Sequence, residues 1–310
     1  MLLCCGEALI DMIPSEVATG GFGYVPHSGG AIFNTAIALG RLGQKVKMLT
    51  GLSTDLFGQQ LEKSLLDSNV GTSLSIRSDR PTTMAFVQLS NGHATYTFYD
   101  ENSAGRMLTE ADLPSLPGDV EALYFGGISL AVEPCADAYA ALLHREARTR
   151  TIMIDPNIRP GFIRDEARYR KRLDAMIGDA DIVKVSDEDL DWIDKSERSL
   201  ELKATALLAL GPKLVVVTRG KDGAAAYFAD GSSVSVEGSP VAVIDTVGAG
   251  DTFNAGFLAS LSDQRLIDKA SVANLSKHAV EAALTYGAKV AAITVSRAGA
   301  NPPWKSELAA

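Results

Sequence analysis

Residues 31–52 read AIFNTAIALGRLGQKVKMLTGL, a helix-period stretch over 31–43 that runs into an apolar, β-rich stretch over 45–52. LLCCGEALI at 2–10 stands ahead of both and reads as a first buried strand. Strand, helix, strand is one βαβ unit, and the order repeats along the chain. ALYFGGISL (122–130) precedes a helical pattern near 136–149, and TIMIDP (151–156), IVKVS (182–186) and KLVVVTRG (213–220) continue the series. A turn and helix follow over 245–262, then a final helix over about 271–286, and Pro302-Pro303 reads as the exit from a terminal strand into a tail. This alternation predicts an α/β fold, a mostly parallel sheet with helices on both faces.

Two segments break the rhythm. Residues 79–103 hold two alternating strands around Ser90-Asn91-Gly92-His93, and Asn-Gly between such strands signals a hairpin. Residues 12–28 form a second β-rich excursion with a Gly20-Gly21 tip. Added to a parallel sheet, they predict a small antiparallel sheet that serves as a lid over the carboxyl edge, or else two surface hairpins. No internal repeat interrupts the chain, so 1–310 is expected to be one domain with a lid made of two insertions.

Charge narrows the function. Of 310 residues, 29 are Lys or Arg and 38 Asp or Glu, a net charge of −9, which argues against a nucleic-acid or anionic-membrane partner. The start MLLCCGEALID has no basic region before its apolar run, and no uncharged apolar stretch reaches the length of a membrane span. Three cysteines without zinc or disulfide spacing suit a reducing, cytoplasmic setting. Any phosphate must therefore be held by local donors.

Residues 243–257, VIDTVGAGDTFNAGF, supply them. Gly248, Ala249 and Gly250 let backbone approach a ligand closely, and a helix is expected from Phe253 onward. Unpaired N–H groups at a helix start, with the positive end of its dipole, make an anion site. A carboxylate at Asp251 would repel phosphate as a mere binding group, but suits a general base that takes the proton of an attacking hydroxyl. The plainer alternative is an Asp cap on a Gly-rich turn. There is no G-x-x-x-x-G-K-[ST] and no G-x-G-x-x-G after the first strand, so neither a P-loop nor a dinucleotide site is expected.

The run 245–257, DTVGAGDTFNAGF, resembles the second signature of the ribokinase-like (PfkB-type) carbohydrate kinases, and GGAIFNTA at 29–36 through GRLG at 40–43 resembles the first. The resemblance spans the chain and implies a three-layer α/β fold with a β-sheet lid. It also implies ATP-dependent phosphorylation of a primary sugar hydroxyl with Mg²⁺, Asp251 as base and Gly248–Gly250 as the anion hole. It puts Thr218, Gly220, Lys221 and Gly223 along the nucleotide, where an Asp-Gly hairpin turn explains the same residues. Ser186 and Asp189 stand where the family has an N-x-x-E element near Mg²⁺, with Ser for Asn and Asp for Glu; an N-cap at Ser186 is the alternative. Asp245 and the Val247 carbonyl, with the 296–299 loop, are the implied seat of a monovalent cation such as K⁺.

On the sugar side the resemblance implies contacts from Asp11, at the end of the first strand, and from Gly29, Gly30 and Asn34 at the helix entry; for Asp11 the alternative is a strand end facing water. Phe98 and Tyr99 offer an aromatic face, or simply hairpin packing. CCGEALIDMIP (4–14), the first signature and DPNIRP (155–160) are most similar to bacterial fructokinases. The rival is the 2-keto-3-deoxygluconate kinase branch, which places an arginine after the lid tyrosine; Asp100 stands there instead and would repel an acid, with Arg106 six residues on able to reach back. Arg159 faces phosphate or substrate, or pairs with Asp155 or Asp165. A ribokinase or nucleoside kinase and a non-catalytic sugar-binding protein are the remaining alternatives. Free lid edges allow a homodimer clasped through the lids.

Overall fold

The computed structural model describes residues 1–18, 20–90 and 93–308. In chain order its strands are β1 (Leu2–Cys5), β2 (Leu9–Glu16), β3 (Phe22–Gly29), β4 (Val46–Leu49), β5 (Gly51–Ser53), β6 (Val70–Gly71), β7 (Ile76–Ser78), β8 (Met84–Ser90), β9 (His93–Tyr99), β10 (Ala122–Gly126), β11 (Thr151–Asp155), β12 (Ile182–Ser186), β13 (Leu214–Thr218), β14 (Ala224–Phe228) and β15 (Ser233–Val236). The helices are α1 (Ala31–Arg41), α2 (Leu56–Asp67), α3 (Cys135–Glu146), α4 (Glu166–Asp179), α5 (Asp187–Ile193), α6 (Leu200–Leu208), α7 (Ala249–Asp263), α8 (Lys269–Val272) and α9 (Lys277–Val295).

Nine strands make one sheet in the order β15-β14-β13-β12-β11-β10-β1-β4-β6. From β13 to β6 every pairing is parallel, and only the β13–β14 and β14–β15 pairings at one edge are antiparallel. Strand alternation splits the core into two layers. Leu2 and Cys4 pack with α1, α7 and α9, while Leu3 and Cys5 pack with α3, α4 and α6 on the other face. The α/β expectation holds, and the strands read as continuous apolar runs because both faces are covered.

A second sheet orders its strands β3-β2-β8-β9. Its two hairpins are antiparallel, but they join through a parallel β2–β8 pair, so the sheet is mixed rather than antiparallel throughout. The expected Asn91-Gly92 turn lies outside the described residues. LLCCGEALI is two strands: β1 ends at Cys5, and Leu9 begins β2 of the small sheet, three residues before the expected excursion. Asp11 therefore sits on the small sheet and not at the end of the first strand.

Three boundaries depart from the sequence expectations. Helix α7 begins at Ala249, four residues ahead of Phe253, because apolar spacing marks where a helix meets the core and not where its backbone starts. The last helix runs over 277–295, capped by the Ser276 hydroxyl accepting the Ala279 N–H at 3.2 Å. Its Gly287 lies inside the helix, where Gly256 of α7 packs against it. Pro302-Pro303 follows α9 rather than a strand, and leads to a short 3₁₀ turn over 305–308 with Leu308 buried.

Candidate active site

The carboxyl ends of the parallel strands and one face of the small sheet enclose a cleft of about 1250 Å³. Asp251 lies at its floor. Gly248 caps α7 with φ 78°, a left-handed conformation, and a Cβ there would stand 2.7 Å from the Ala300 Cβ, so glycine is required. The Thr252 N–H turns back to the Gly248 carbonyl at 2.9 Å, whereas the Gly250 and Asp251 N–H groups have no hydrogen bond among the described residues. Both residues line the cleft at the positive end of a helix of 15 residues, an arrangement that suits an anion.

The Asp251 carboxylate is buried and accepts the Asn34 side-chain amide at 2.8 Å; its carbonyl accepts the Thr35 hydroxyl at 3.0 Å. Both partners come from α1, so the two signature segments meet at this residue. Burial pushes the Asp251 carboxyl up to about 7, the Asp155 charge acting in the same direction and the Asn34 bond and Lys184 ammonium against it. A carboxylate with that affinity is suited to take up a proton near neutral pH.

Across the cleft, Asp11 accepts no side-chain hydrogen bond among the described residues, and burial raises its carboxyl to about 6. Gly30 and Asn34 line the cleft beside it, but Gly29 does not. Gly29 acts through space: any Cβ there would overlap the Asp11 carboxylate. Strand alternation separates the two aromatics, with Phe98 on the cleft face and Tyr99 on the far one. Tyr99 packs edge-on against Phe86 at 5.5 Å and does not line the cleft; the cleft-facing neighbour of Phe98 is Tyr96.

Arg106 lines the cleft but is already paired. Its Nη1 stands 2.9 Å from Asp100 Oδ2, with both side chains largely buried, and its Nε donates to the Glu133 carbonyl. Asp100 is thus neutralised and presents no bare charge to an acid. Arg159 lines the cleft too, donates to the Ile158 carbonyl, and forms no ion pair with Asp155, Asp165 or any other carboxylate among the described residues.

On the other side of α7, Thr218 at the end of β13 lines the cleft with Gly220 and Lys221, which lie in the 3₁₀ turn that joins the antiparallel β13 and β14. Gly223 stays outside it, packed on β15 at the Val236 carbonyl. Ser186 caps α5 and forms a capping box with Asp189, whose Oδ2 accepts the Ser186 N–H and hydroxyl while Oδ1 accepts the Ile158 N–H at 2.8 Å. Both Asp189 oxygens are in use, so this carboxylate suits a metal only through bridging water. Asp245 closes its own turn by accepting the Val247 N–H and ties it to the 296–299 loop through the Gly299 N–H at 2.9 Å, which brings the three expected sides of a cation site together outside the cleft wall; only Val247 lines the cleft.

Several cleft residues have no counterpart among the motifs. Glu7 accepts the Ala31 N–H at 3.0 Å and pins the start of α1. Lys184 and Asp155 form a buried pair, and Phe162 meets Phe98 edge-on with ring centroids 4.3 Å apart. Lys184 had a signal in the sequence: a lysine inside an otherwise apolar buried strand needs a partner.

Comparison with known proteins agrees with this architecture. The model of the pfkB family carbohydrate kinases matches residues 1–307. A fructokinase of Rhizobium leguminosarum bv. trifolii is 52% identical over 280 residues, covering 90% of this chain and 85% of that protein. The structure of a fructokinase from Xylella fastidiosa with bound ATP superposes with a TM-score of 0.90 at 27% identity, over 99% of this chain and 96% of that one. A double mutant of the Vibrio cholerae O395 fructokinase, with fructose, ADP and potassium ion bound, gives 0.82 at 25% identity over 96% and 93%. The ribokinase-like α/β fold and the paired signatures are those of sugar phosphotransferases, and the chain belongs to the pfkB family of carbohydrate kinases.

Proposed function

We propose that this kinase is a fructokinase, which transfers the terminal phosphoryl group of ATP to the primary hydroxyl of D-fructose and releases fructose 6-phosphate and ADP. One observation carries the reading: a buried carboxyl tuned to about 7 lies beside two unpaired helix N–H groups, across one cleft from the unpartnered Asp11. Asp11, Gly30 and Asn34 bind the sugar, and Phe98 with Tyr96 walls it. The sugar oxygen attacks phosphorus as the bond to the ADP oxygen breaks, and Asp251 accepts the hydroxyl proton. The Gly250 and Asp251 N–H groups, held by the Gly248 turn, take the charge on the transferred group.

ATP lies along Ser186, Thr218, Gly220 and Lys221. Asp189 would hold a water of the Mg²⁺ that accompanies ATP, and that ion would neutralise phosphate charge. Asp245, the Val247 carbonyl and the 296–299 loop form the seat of K⁺. The small sheet acts as a lid that excludes water, so that ATP is not hydrolysed. The enzyme works in the cytoplasm as a homodimer joined through its lids.

A sugar-acid kinase is the second reading, and the unpaired Arg159 favours it. ADP release measured over fructose, ribose, 2-keto-3-deoxygluconate and adenosine, each with and without K⁺ in sodium-free buffer, decides. The expected outcome is a preference for fructose with higher turnover in K⁺, and a fall of at least about 1,000-fold in kcat for Asp251→Asn at near-constant sugar KM. A preference for the acid overturns the fructose assignment, and near-normal turnover of D251N overturns the base.

A further inference from the structure

Beneath the start of α7 lies a polar cluster whose charged members, Lys184 and Asp155, belong to neither signature. The Lys184 side chain on β12 is 5% exposed, and its Nζ stands 2.9 Å from Asp155 Oδ2 at the end of β11, itself 2% exposed. A Cβ on Gly250 would stand 3.4 Å from that ammonium, so the cation lies directly against the backbone of the anion hole. Among the described residues Nζ makes no other hydrogen bond, and two of its three N–H donors remain for a group in the cleft that it lines.

Asp155 is the hub. Its Oδ2 also accepts the Asn254 amide at 2.7 Å, from the second turn of α7, and its Oδ1 accepts the Asn157 N–H at 3.1 Å. The Asn254 amide reaches the Tyr124 hydroxyl of β10 at 2.8 Å as well. One carboxylate thereby holds β12, α7 and the loop after β11 in a single arrangement. Buried ion pairs contribute little to folding compared with apolar residues of the same volume. A pair kept next to an anion hole is better explained by its placement there.

We propose that Asp155 is a positioning residue for phosphoryl transfer, holding the Lys184 ammonium beneath Gly250 so that it faces the charge gathering on the transferred group. The inference rests on Gly248–Gly250 being the anion hole. Asp155 also shares the surroundings of Asp251, which Asn34 of α1, Lys184 of β12, Tyr124 of β10 and Glu7 after β1 face as well. Of these, Asp155 and Glu7 raise its proton affinity, and Asn34 and Lys184 lower it.

The full-length protein is compared with Asp155→Asn, Lys184→Met and the double variant, using ATP and the best sugar acceptor. Wild-type turnover tests the kinase reading by itself, whereas ratios among variants test this one. Asp155→Asn is expected to lower kcat at least tenfold with sugar KM within about threefold, and to move the acid limb of kcat/KM to lower pH, because the lost Asp155 charge acts more strongly on Asp251 than the opposing Lys184 charge. Adding Lys184→Met is expected to cost no more than about threefold further, since the lysine has already lost its place. If Lys184→Met alone does not fold, the D155N and D155N/K184M pair still decides, because the double variant leaves neither charge unpaired. D155N retaining half of the wild-type kcat, an unmoved acid limb, or a further tenfold loss in the double variant overturns the proposal.

Discussion

Burial gives Asp251 its proton affinity near neutral pH, and the same burial works against the fold. Its carboxyl rises from 3.8 to about 7, so the folded chain binds the proton more tightly than the unfolded one. The contribution to stability is therefore complete below about pH 4 and is lost as pH rises toward 7. Asp251→Asn keeps the volume and an acceptor for the Asn34 amide while removing the buried charge. It is expected to melt higher than wild type by roughly 5 °C at pH 8, with the gain vanishing near pH 4. Thermal unfolding at the two pH values checks this, and equal gains at both would mean that charge burial is not the cause. Asp251, Gly248–Gly250 and Asn34 were legible in the sequence because short-range chemistry fixes them: small residues at a turn, then a carboxylate. The pairing of Asp155 with Lys184 was not, since it depends on two parallel strands lying side by side, which spacing along the chain does not encode.

Among elements, the small sheet is where sequence reading succeeded in kind and failed in detail. The alternation over 79–103 gave strands, but only period two separates Phe98 and Tyr96 on the cleft face from Tyr99 on the other, and adjacent aromatics look alike until the register is known. The expected start of α7 erred for a related reason: its first residues, Ala249 to Asp251, line the cleft and carry none of the apolar spacing that marks the core. Helix α2 meets the sheet at β3, the Ser28 and Ser64 hydroxyls 3.0 Å apart and the Gln60 amide donating to the Pro26 carbonyl, and at the β9 end Phe98 meets Phe162 of the 3₁₀ turn over 160–162 and Glu101 lies 3.4 Å from Arg164. The exposed ion pair contributes little, so the aromatic contact is the stronger of the two links between this end of the sheet and the 160–164 segment. Phe162→Ala is expected to raise the sugar KM about tenfold with kcat within threefold, and to increase ATP hydrolysis in the absence of sugar. Unchanged sugar KM and hydrolysis would show that the turn takes no part in closing the cleft.

At the scale of the whole molecule, the parallel sheet and its two covering layers followed from the repeated βαβ pattern, because a strand buried on both faces must be apolar throughout. Helix α2 covers the small sheet near Pro26 and Ser28 of β3. Pairing register puts Phe22, Tyr24, Phe86 and Tyr99 together on the side away from the cleft, and Phe22, Tyr99 and Tyr24 are 76%, 56% and 43% exposed. Tyr24, Phe86 and Tyr99 stack edge to face in a row, with centroids 5.0 and 5.5 Å apart. A contiguous aromatic patch of this kind on a sheet with free edges is the surface that the proposed lid-to-lid dimer would bury under two-fold symmetry. Light scattering on the eluting protein is expected to give twice the chain mass, and Phe22→Asp with Tyr99→Asp to give a single chain with a raised sugar KM, since the partner lid no longer steadies this one. A wild-type protein that elutes as one chain at micromolar concentration would leave the aromatic row without a second copy to cover it and would sink the dimer, whereas a dimer that persists in the double variant would move the interface away from the lid.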